Sequence, residues 1–431
     1  MTAPNPGHHP EELAVAAARA RIAAQLRVVA EVEDCPVPAA LGRVLAADVI
    51  SPIDVPAHDN AAMDGYAFAG SELAAAGAGP LRLRVIGTAL AGAPFAGTPG
   101  PGECVRIMTG AVMPADCDTV VMQEQAERDS DGKDGKDGKV SNDGKGDQVV
   151  FAPGQKPGQN RRKRGEDLAA GQPALRAGRL LRPADLGLLS SLGIAGVRVR
   201  RRLKVAFFST GNELRSPGET LDAGCVYDSN RSTLRGMLER LGVEAIDLGL
   251  VRDDPAALEA VLTEAATRAD AILTSGGVSV GEADFTRALL ARLGAVDFWN
   301  IAMKPGRPFA FGRIGNALLF GLPGNPVATM VAFYVFVRAA LLAMAGAGDT
   351  DLPVLRARCA SAIRKVPGRS EFQRGILAPG DDGWEVRITG PQSSGILRSM
   401  SEANCLILLP PECAGVAPGE FVDLWVFDGL V

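Results

Sequence analysis

Four apolar runs in the middle of the chain alternate with longer stretches in which apolar residues recur at helical spacing. The runs are Val205–Ser209, Ala245–Leu250, Ala271–Ser275 and Ala317–Gly321. The helical stretches are Ser229–Leu241, Pro255–Ala269, Asp284–Leu293 and Pro326–Ala345. Strands that alternate with helices form a parallel sheet covered on both faces. The pattern therefore predicts a doubly wound α/β domain over residues 200–350.

The segments on either side of this domain have shorter apolar runs. Residues 46–150 contain runs such as Leu81–Ile86 and Thr119–Met122, split by Gly and Pro, which indicates an inserted β-rich domain. Residues 351–431 alternate apolar and polar positions, for example in Trp384–Ile388 and Phe421–Val426, which is typical of a β-barrel-like domain. Residues 1–45, with a helix predicted over Glu11–Ala30, and 151–199 form an N-terminal and linking domain. The fold class is α/β multidomain.

One internal segment stands apart from this organisation. Residues 129–147 read DSDGKDGKDGKVSNDGKGD, which is charged and of low complexity. Such a segment cannot bury enough apolar surface to order itself, so we predict a flexible hairpin tip within the β-rich domain.

Composition excludes several classes of function. The net charge is −5 and there is no long basic block, which argues against a nucleic-acid partner. The seven Cys form no CxxC pair and are odd in number, which argues against a zinc ribbon or disulfide scaffold and indicates a reducing compartment. With three His in the chain, a His-based triad or metal site is disfavoured, and acid–base chemistry falls to carboxylates, Lys or metal-bound water.

Localisation follows from the apolar stretches. The N-terminus does not resemble a signal peptide. Residues 327–345 are long enough to span a membrane, but they follow a Gly-Asn-Pro turn within an α/β pattern, which favours a buried helix. We therefore expect a cytoplasmic protein with no membrane partner.

Ligands of an open parallel sheet bind outside the carboxyl ends of its strands, so the loops that follow the strands carry the candidate chemistry. The loop after Ser275 contains Gly276, Gly277 and Ser279 and leads into a helix that Asp284 can cap. Glycines that expose backbone N–H groups and a helix N-terminus favour an anion. Asn325 and Pro326 begin the next helix in the same way. An ordinary glycine-rich turn and a standard helix start remain as alternatives for these loops.

Three carboxylates follow strands of the same predicted sheet: Glu213, Asp253 and Asp284. Carboxylates gathered beside a phosphate-type site usually hold Mg²⁺, and one of them can instead accept a proton from water. Helix capping and surface salt bridges are the alternatives.

Two basic segments have two interpretations each. Prolines hold the segment Lys304-Pro305-Gly306-Arg307-Pro308 rigid, so that Lys304 and Arg307 are either fixed cations near the anion site or part of a stiff surface loop. Residues 161–164, RRKR, are followed by two acidic residues and form either a solvated loop or a loop that faces an anion.

Seven segments resemble, in order, those of the MoeA family of molybdenum insertases, which includes bacterial molybdopterin molybdenumtransferases and the C-terminal domain of gephyrin. They are DNAAMDGYA (59–67), RIMTGA (106–111), RRKRGED (161–167), STGNEL (209–214), SGGVSVGEAD (275–284), KPGRPFAFG (304–312) and GLPGNPVA (321–328). The resemblance covers nearly the whole chain.

The resemblance implies four subdomains and a homodimer in which the 59–67 segment of one subunit faces the α/β domain of the other. It implies transfer of molybdenum from molybdate to the dithiolene of adenylylated molybdopterin, release of AMP, a need for Mg²⁺, and molybdopterin adenylyltransferase as a pathway partner. The site residues it implies are Asp59, Glu213, Asp253, Asp284 and Lys304 as catalytic, with Asp253 and Asp284 at the metal. Those implied for substrate binding are Thr109, Asp167, Gly276, Gly277, Ser279, Pro305, Asn325, Arg374 and Ser394.

Two positions depart from the family pattern. Ala61 stands where Ser is usual, which removes a hydroxyl contact, and Asn300 stands where some members carry Lys, which removes a cation. The alternative functions are that of the adenylyltransferase, which shares the α/β domain, and a gephyrin-like scaffold for partner peptides. The additional domains argue against the first, and the acidic cluster argues against a purely structural role.

Overall fold

The computed structural model describes residues 12–129, 148–277 and 283–427. They form two compact units. The first contains residues 12–47, 177–187, 195–277 and 283–427. The second contains residues 48–129, 148–176 and 188–194. The four-domain division stays a prediction.

A seven-stranded sheet organises the first unit. The four strands predicted from the apolar runs are confirmed and are parallel to one another. In spatial order the sheet contains Glu12–Leu13, Gly294–Ile301, Pro308–Ile314, Ala317–Leu322, Ala271–Ser275, Lys204–Thr210 and Glu244–Val251.

The far side of this sheet was not predicted. Gly294–Ile301 and Pro308–Ile314 form an antiparallel hairpin that extends the sheet, which is therefore mixed rather than wholly parallel. Glu12–Leu13 adds a parallel edge strand against Asn300 and Ile301. The helix predicted over Glu11–Ala30 is wrong in extent: Glu12 and Leu13 are in this strand, and the helix covers only Val15–Ala23.

Helices cover both faces of the sheet, as predicted. In the strand Lys204–Thr210, Val205 and Phe207 belong to one core cluster, whereas Ala206 and Phe208 belong to another. Since successive side chains of a strand point to opposite faces, the two clusters are the two layers of the domain. The first layer contains Val15–Ala23, Ser229–Arg240, Pro326–Ala332 and Arg338–Met344, and the second contains Pro255–Arg268 and Ala283–Leu293.

The apolar helix after the Gly-Asn-Pro turn is a core element. It runs from Pro326 to Met344 and contains one π-helical stretch, Phe333–Val337. Among the described residues it is the one helix with the length and mean hydropathy of a membrane span, but 72% of its most apolar window is buried in the protein. The predicted buried helix is therefore confirmed.

The C-terminal part of the first unit is a closed five-stranded barrel, as predicted. Each strand pairs with two neighbours in the ring, and apolar side chains such as Val386, Ile407 and Leu424 fill its interior. In order around the ring the strands are Ser370–Gly380, Gly383–Ile388, Val354–Cys359, Phe421–Val426 and Cys405–Leu409. The strand Met303–Lys304 pairs with Ser370–Gly380 and so brings a loop of the α/β sheet to the barrel.

A six-stranded sheet forms the second unit and confirms its β-rich character. In order it contains Thr119–Met122, Gly65–Phe68, Glu103–Ile107, Leu81–Ala89, Gln148–Phe151 and Ala126–Asp129. The last two strands pair antiparallel, with Gln148 opposite Asp129. Residues 130–147, the rest of the predicted flexible tip, lie outside the described residues.

The remaining elements are short. The first unit has the pairs Val32–Pro36 with Gly196–Arg200, Leu214–Arg215 with Val226–Tyr227 and Ile363–Arg364 with Gly415–Val416, and the helix Leu397–Glu402. The second has the pairs Val49–Ile50 with Pro173–Leu175 and Asn60–Ala61 with Arg161–Arg162, and the helix Ser71–Ala76. The helix Pro183–Ser191 follows the linking segment.

An ion pair fixes the start of two central strands and gives a stability prediction. Asp270 accepts hydrogen bonds from both guanidinium nitrogens of Arg201, at 2.7 and 2.8 Å, and from the backbone N of Lys204 at 2.8 Å. Burial acts to raise the pKa of Asp270, but these hydrogen bonds outweigh it and hold the pKa below its ordinary value of 3.8. The ion pair therefore contributes its full stability above about pH 4 and loses it as the pH falls through the lowered pKa.

We expect Asp270→Asn to lower the free energy of unfolding at pH 7 by about 2 kcal/mol, because hydrogen bonds to a charged group are lost. The variant should also lose less stability than the parent when the pH falls below about 4. Urea unfolding at pH 7 and pH 3 measures both effects. Glu264→Gln is the control, since that half-exposed side chain pairs with Arg268 on a helix surface and should contribute less than about 0.5 kcal/mol. Equal losses in the two variants would contradict the prediction.

Candidate functional site

Three strand-end loops meet at the carboxyl edge of the seven-stranded sheet. Gly276 has φ of +92°, and a Cβ atom on it would lie 2.4 Å from the carbonyl oxygen of Thr210. A Cβ atom on Gly324 would lie 3.8 Å from the Cα atom of Gly276. The loops after Thr210, Ser275 and Leu322 are therefore in contact, and only glycine permits the approach at position 276. The predicted ligand residues Gly276 and Gly277 lie at this meeting point, and Ser279 lies outside the described residues.

Asp253 holds the first of these loops. Its Oδ1 accepts from the Thr210 hydroxyl at 2.7 Å and its Oδ2 from the backbone N of Asn212 at 3.2 Å. The Asn212 side chain in turn accepts from the backbone N of Asp253 at 3.3 Å. Helix capping, the alternative considered for this carboxylate, is performed by the next residue, Asp254, which accepts from Ala257 N.

Glu213 lies on the same edge as Asp253. Its carboxylate lies over Gly211, where an added Cβ atom would be 2.6 Å from Glu213 Oε2. The strands that precede these two residues are parallel neighbours, so both residues lie at the same edge of the sheet, and a joint role of their carboxylates stays a prediction. Asp284 is the second residue of the helix Ala283–Leu293 rather than its cap, and its side chain lies outside the described part of the chain.

The predicted cation segment begins at Lys304, the last residue of the strand Met303–Lys304. Lys304 is exposed, and its Nζ lies 3.8 Å from Glu371 Oε1. The other carboxylate oxygen, Glu371 Oε2, accepts a hydrogen bond from Gln373 Nε2 at 2.9 Å. Pro305 is buried. A Cβ atom on Gly306 would lie 3.4 Å from the carbonyl oxygen of Ala328, so the segment rests on the helix that begins at Pro326.

Arg307, the other cation of this segment, has a carboxylate partner within the first unit. Its Nε lies 2.9 Å from Glu12 Oε1, and Glu12 also pairs with Arg369. Arg307 therefore neutralises a buried carboxylate on the edge strand, whereas Lys304 is more exposed and its ion pair with Glu371 is longer.

Ser394 is brought to the start of the helix Pro326–Ala332. The backbone N of Val327 donates to the carbonyl oxygen of Ser394 at 3.2 Å. Asn325 occupies the N-cap position with Pro326 in the first turn, as predicted, but its exposed side chain forms no capping hydrogen bond. The carbonyl oxygen of Ser394 thus accepts a hydrogen bond from the first turn of the helix, where the Asn325 side chain accepts none. The Asn325 side chain therefore stays available to a ligand.

Arg374 anchors the Ser394 loop through hydrogen bonds to its backbone. It is fully buried and donates to Ser399 Oγ at 3.0 Å and to the carbonyl oxygens of Pro391, Gln392 and Ser393. Burial lowers its pKa to about 10, so it stays charged at neutral pH, and no carboxylate of the described residues pairs with it. In this structure the guanidinium of Arg374 anchors the Ser394 loop and adds positive potential there, and its direct contact with an oxyanion stays a prediction.

The other predicted residues lie in the second unit. Asp59 accepts hydrogen bonds from the backbone N of Arg164 at 2.7 Å and from the Arg161 guanidinium. The bond from Arg164 lowers the pKa of Asp59 most, and the bond from Arg161 lowers it further, so that the pKa lies below its ordinary value although burial acts to raise it. The carbonyl of Asp59 accepts from Met113 N, which joins its loop to the loop of Thr109. Asp167 is exposed, and its backbone N donates to Val55 O.

The basic segment 161–164 is largely neutralised within the second unit. Arg161 pairs with Asp59, Arg164 pairs with Asp54 at 2.5 Å, and Arg162 pairs with Glu166 at 2.9 Å. This geometry fits the solvated-loop interpretation better than a loop that faces an anion. Ala61, the departure from the family pattern, is 1% exposed and packs in an apolar cluster.

Sequence reasoning missed Asp64, Asp228 and Asn230. Asp64 lies within the 59–67 segment, but nothing in that segment distinguished it from Asp59. Asp228 caps the helix Ser229–Arg240, and the signal that could have indicated it is its position just before that helix.

Asp64 gives a prediction for the role of Thr109. The hydroxyl and the backbone N of Thr109 donate to Asp64 Oδ1 at 2.6 and 2.7 Å, and in that order they lower the pKa of Asp64. Removing the hydroxyl in Thr109→Val should therefore raise the pKa of Asp64 towards its ordinary value. A carboxyl NMR titration of aspartate-labelled protein measures it. Asp54, held by Ala170 N and Arg164, is the internal control. An unchanged Asp64 titration would show that the hydroxyl bond does not form in solution.

Within the described residues, no group of three or more His, Cys, Asp or Glu side chains is placed to hold a metal ion. A magnesium ion that arrives with phosphate oxygens needs only one or two protein carboxylates, with water completing its shell. Asp253 and Glu213 are donors of that type on the ligand edge of the sheet. The donor set therefore fits a phosphate-bound Mg²⁺.

Comparisons with known proteins cover nearly the whole chain. Three family profiles match in order: MoeA N-terminal region (domain I and II) at residues 13–193, probable molybdopterin binding domain at 206–343, and MoeA C-terminal region (domain IV) at 356–427. The chain is 42% identical to molybdopterin molybdenumtransferase of Haemophilus influenzae, over 96% of this chain and 98% of that one. It is 30% identical to gephyrin of Dictyostelium discoideum, over 91% of this chain and 59% of gephyrin.

A solved structure agrees with these similarities. The molybdopterin biosynthesis moeA protein of Pyrococcus horikoshii OT3 superposes with a TM-score of 0.82 at 28% identity, over 97% of this chain and 100% of that one. The similarity thus extends over both compact units rather than over the α/β domain alone.

Proposed function

This chain belongs to the MoeA family of molybdopterin molybdenumtransferases, and we propose that the carboxyl edge of its seven-stranded sheet is where it inserts molybdenum. The chain is an enzyme of molybdenum cofactor biosynthesis. In the reaction we propose, molybdenum passes from molybdate to the dithiolene of adenylylated molybdopterin, the adenylyl bond is cleaved, and AMP is released. The observation that supports this location best is the convergence of Lys304, the helix start at Asn325 and the Ser394 loop.

Molybdate is an oxyanion and needs fixed donors and positive potential. Lys304 supplies an exposed ammonium on a segment that rests on the helix beginning at Pro326. The N-terminus of that helix adds favourable potential for an anion. Arg374 adds a buried charge beneath the loop of Ser394. These features support an oxyanion site formed by Lys304, Asn325 and Ser394, with Arg374 as its anchor.

The adenylylated substrate carries a pyrophosphate, which fits the loop of Gly276 and Gly277. Backbone N–H groups of a glycine-rich loop at a helix start bind such groups. Mg²⁺ would neutralise the charge that develops on the phosphate oxygens when the adenylyl bond breaks. Asp253, with Glu213, would hold it from the protein side. Asp253 also keeps the Thr210–Asn212 loop in place, so the carboxylate serves both loop and ligand.

The remaining predicted site residues belong to the second unit, and for them we propose a role in a homodimer. We place Asp59, Thr109 and Asp167 in a homodimer, where the 59–67 segment of one subunit faces the α/β domain of the other. Met63 in this segment is 46% exposed, which leaves an apolar side chain for such a contact. The supplier of the substrate is then a molybdopterin adenylyltransferase, in the cytoplasm.

Release of AMP tests the function directly. Purified full-length protein with adenylylated molybdopterin and Mg²⁺ should release AMP only when molybdate is added. With molybdopterin and ATP in place of the adenylylated substrate, no adenylylated product should accumulate. Accumulation of that product, without molybdate-dependent AMP release, would instead assign the adenylyltransferase reaction to this chain.

A further inference from the structure

The turn that begins the helix Ser229–Arg240 lies buried beneath the ligand edge of the sheet. Asp228 is 2% exposed and Asn230 is 9% exposed. Asp228 Oδ1 accepts from the Ser209 hydroxyl at 3.0 Å and from the backbone N of Arg231 at 3.1 Å. The carboxylate thereby joins the start of the helix to the end of the strand that carries the Thr210–Glu213 loop.

Asn230 joins the two other loops of the site. Its Nδ2 donates to Ser275 Oγ at 2.7 Å and to the carbonyl oxygen of Gly324 at 2.6 Å. Ser275 precedes the glycine loop that we assign to the pyrophosphate, and Gly324 precedes Asn325 of the oxyanion site. One side-chain amide thus sets the spacing between the two halves of the proposed site.

The network is poorly suited to a purely stabilising role. Asp228 Oδ2 and Asn230 Oδ1 are buried, and neither has a hydrogen-bond partner among residues 12–129, 148–277 and 283–427. The nearest cation to Asp228 Oδ2 is Arg231 Nε at 3.8 Å, which is beyond hydrogen-bond distance. A buried acceptor without a partner costs stability, and an apolar contact of the same shape would avoid that cost. The amide of Asn230 therefore contributes geometry that packing alone would not give.

We propose that Asn230 is a positioning residue for molybdenum insertion. It holds the Ser275 and Gly324 loops at a fixed separation, so that the substrate bound on one is aligned with the oxyanion bound on the other. It contacts neither ligand. The proposal rests on the function proposed above, and its physical basis is that a displacement of about 1 Å between reacting groups costs about 100-fold in rate.

Steady-state kinetics of the full-length protein test the proposal. Asn230→Asp keeps the size of the side chain but removes the Nδ2 donor. We expect kcat for molybdate-dependent AMP release to fall about 10-fold, with KM for molybdate and for the adenylylated substrate within about twofold of the parent, because each half-site is intact and only their alignment changes. Ser229→Ala is the matched control. It alters the neighbouring residue, whose side chain forms no hydrogen bond to any described part of the chain, and should leave kcat unchanged.

A second variant keeps the test decisive if Asn230→Asp folds poorly. Ser275→Ala removes one acceptor of the same amide and should lower kcat about threefold, and combining the two substitutions should lower it no further than Asn230→Asp alone. Multiplied effects in the double variant, or an unchanged kcat in both single variants, would overturn the positioning role while leaving the proposed function intact. A parent protein without molybdate-dependent AMP release would overturn both.

Discussion

Asp253→Asn is expected to lower kcat/KM for molybdenum insertion by about 100-fold, the largest loss among the variants considered. Asparagine can still accept from the Thr210 hydroxyl, but its amide cannot accept from Asn212 N, so the Thr210–Asn212 loop loses one of its two ties. The substitution also removes the negative charge that we assign to Mg²⁺. The Mg²⁺ concentration needed for half-maximal rate should therefore rise by about 10- to 100-fold.

Asp254→Asn is the matched control for this prediction. Asp254 is adjacent in sequence but caps the helix Pro255–Arg268, and Asn caps a helix about as well as Asp. Its kinetics and Mg²⁺ dependence should be those of the parent. If the two variants showed the same modest loss, the carboxylate of Asp253 would have no special part in the reaction. If Asp253→Asn lost rate without any change in Mg²⁺ dependence, Asp253 would hold the loop but not the ion.

The elements at the centre of the α/β sheet were predictable because their residues are buried on both faces. Ala271–Ser275 is observed with the predicted bounds, and Lys204–Thr210 differs from its prediction by one residue at each end. A short run of apolar residues between turn signals specifies such a strand without reference to partners. The site loops followed from the strands, because parallel strands place their carboxyl ends at one edge.

The elements at the edge of the sheet depend on partners that sequence patterns do not contain. Glu12–Leu13 is extended because it pairs with a strand almost 300 residues away in the chain and because Arg307 and Arg369 neutralise Glu12. Local spacing in that region is helical, and tertiary pairing overrides it. The hairpin that follows Gly294 was missed for the same reason.

Charges were harder to interpret than strands. Arg307 and Arg374 both read as cations for a ligand, yet one pairs with Glu12 and the other holds the carbonyls of residues 391–393. A sequence shows that a guanidinium is present but not whether its donors are already used. The same limit hid Asn230, whose importance lies in bonds to residues 45 and 94 positions away.

Lys304→Ala should raise KM for molybdate by about 10- to 100-fold and leave KM for the adenylylated substrate unchanged. A charge-assisted contact with an oxyanion contributes about 1.5–3 kcal/mol, which corresponds to that range of affinity. The side chain is 60% exposed and its ion pair with Glu371 spans 3.8 Å, so little stability should be lost. Titration of molybdate at saturating adenylylated substrate, with AMP release as the signal, measures the effect.

Two further variants separate a local contact from a general effect of charge. Arg398 is 86% exposed on the helix that follows the Ser394 loop. Arg398→Ala therefore removes a cation to which we assign no contact with the oxyanion. Its molybdate KM should stay within about twofold of the parent, since the Arg398 guanidinium is exposed to solvent and already pairs with Glu402. Lys304→Arg keeps the charge and should recover most of the affinity lost in Lys304→Ala. An equal rise in molybdate KM for Lys304→Ala and Arg398→Ala would reduce Lys304 to a contributor of net charge. No rise in either would place the oxyanion away from the Lys304 segment, and Arg374 would then anchor the Ser394 loop for a different ligand.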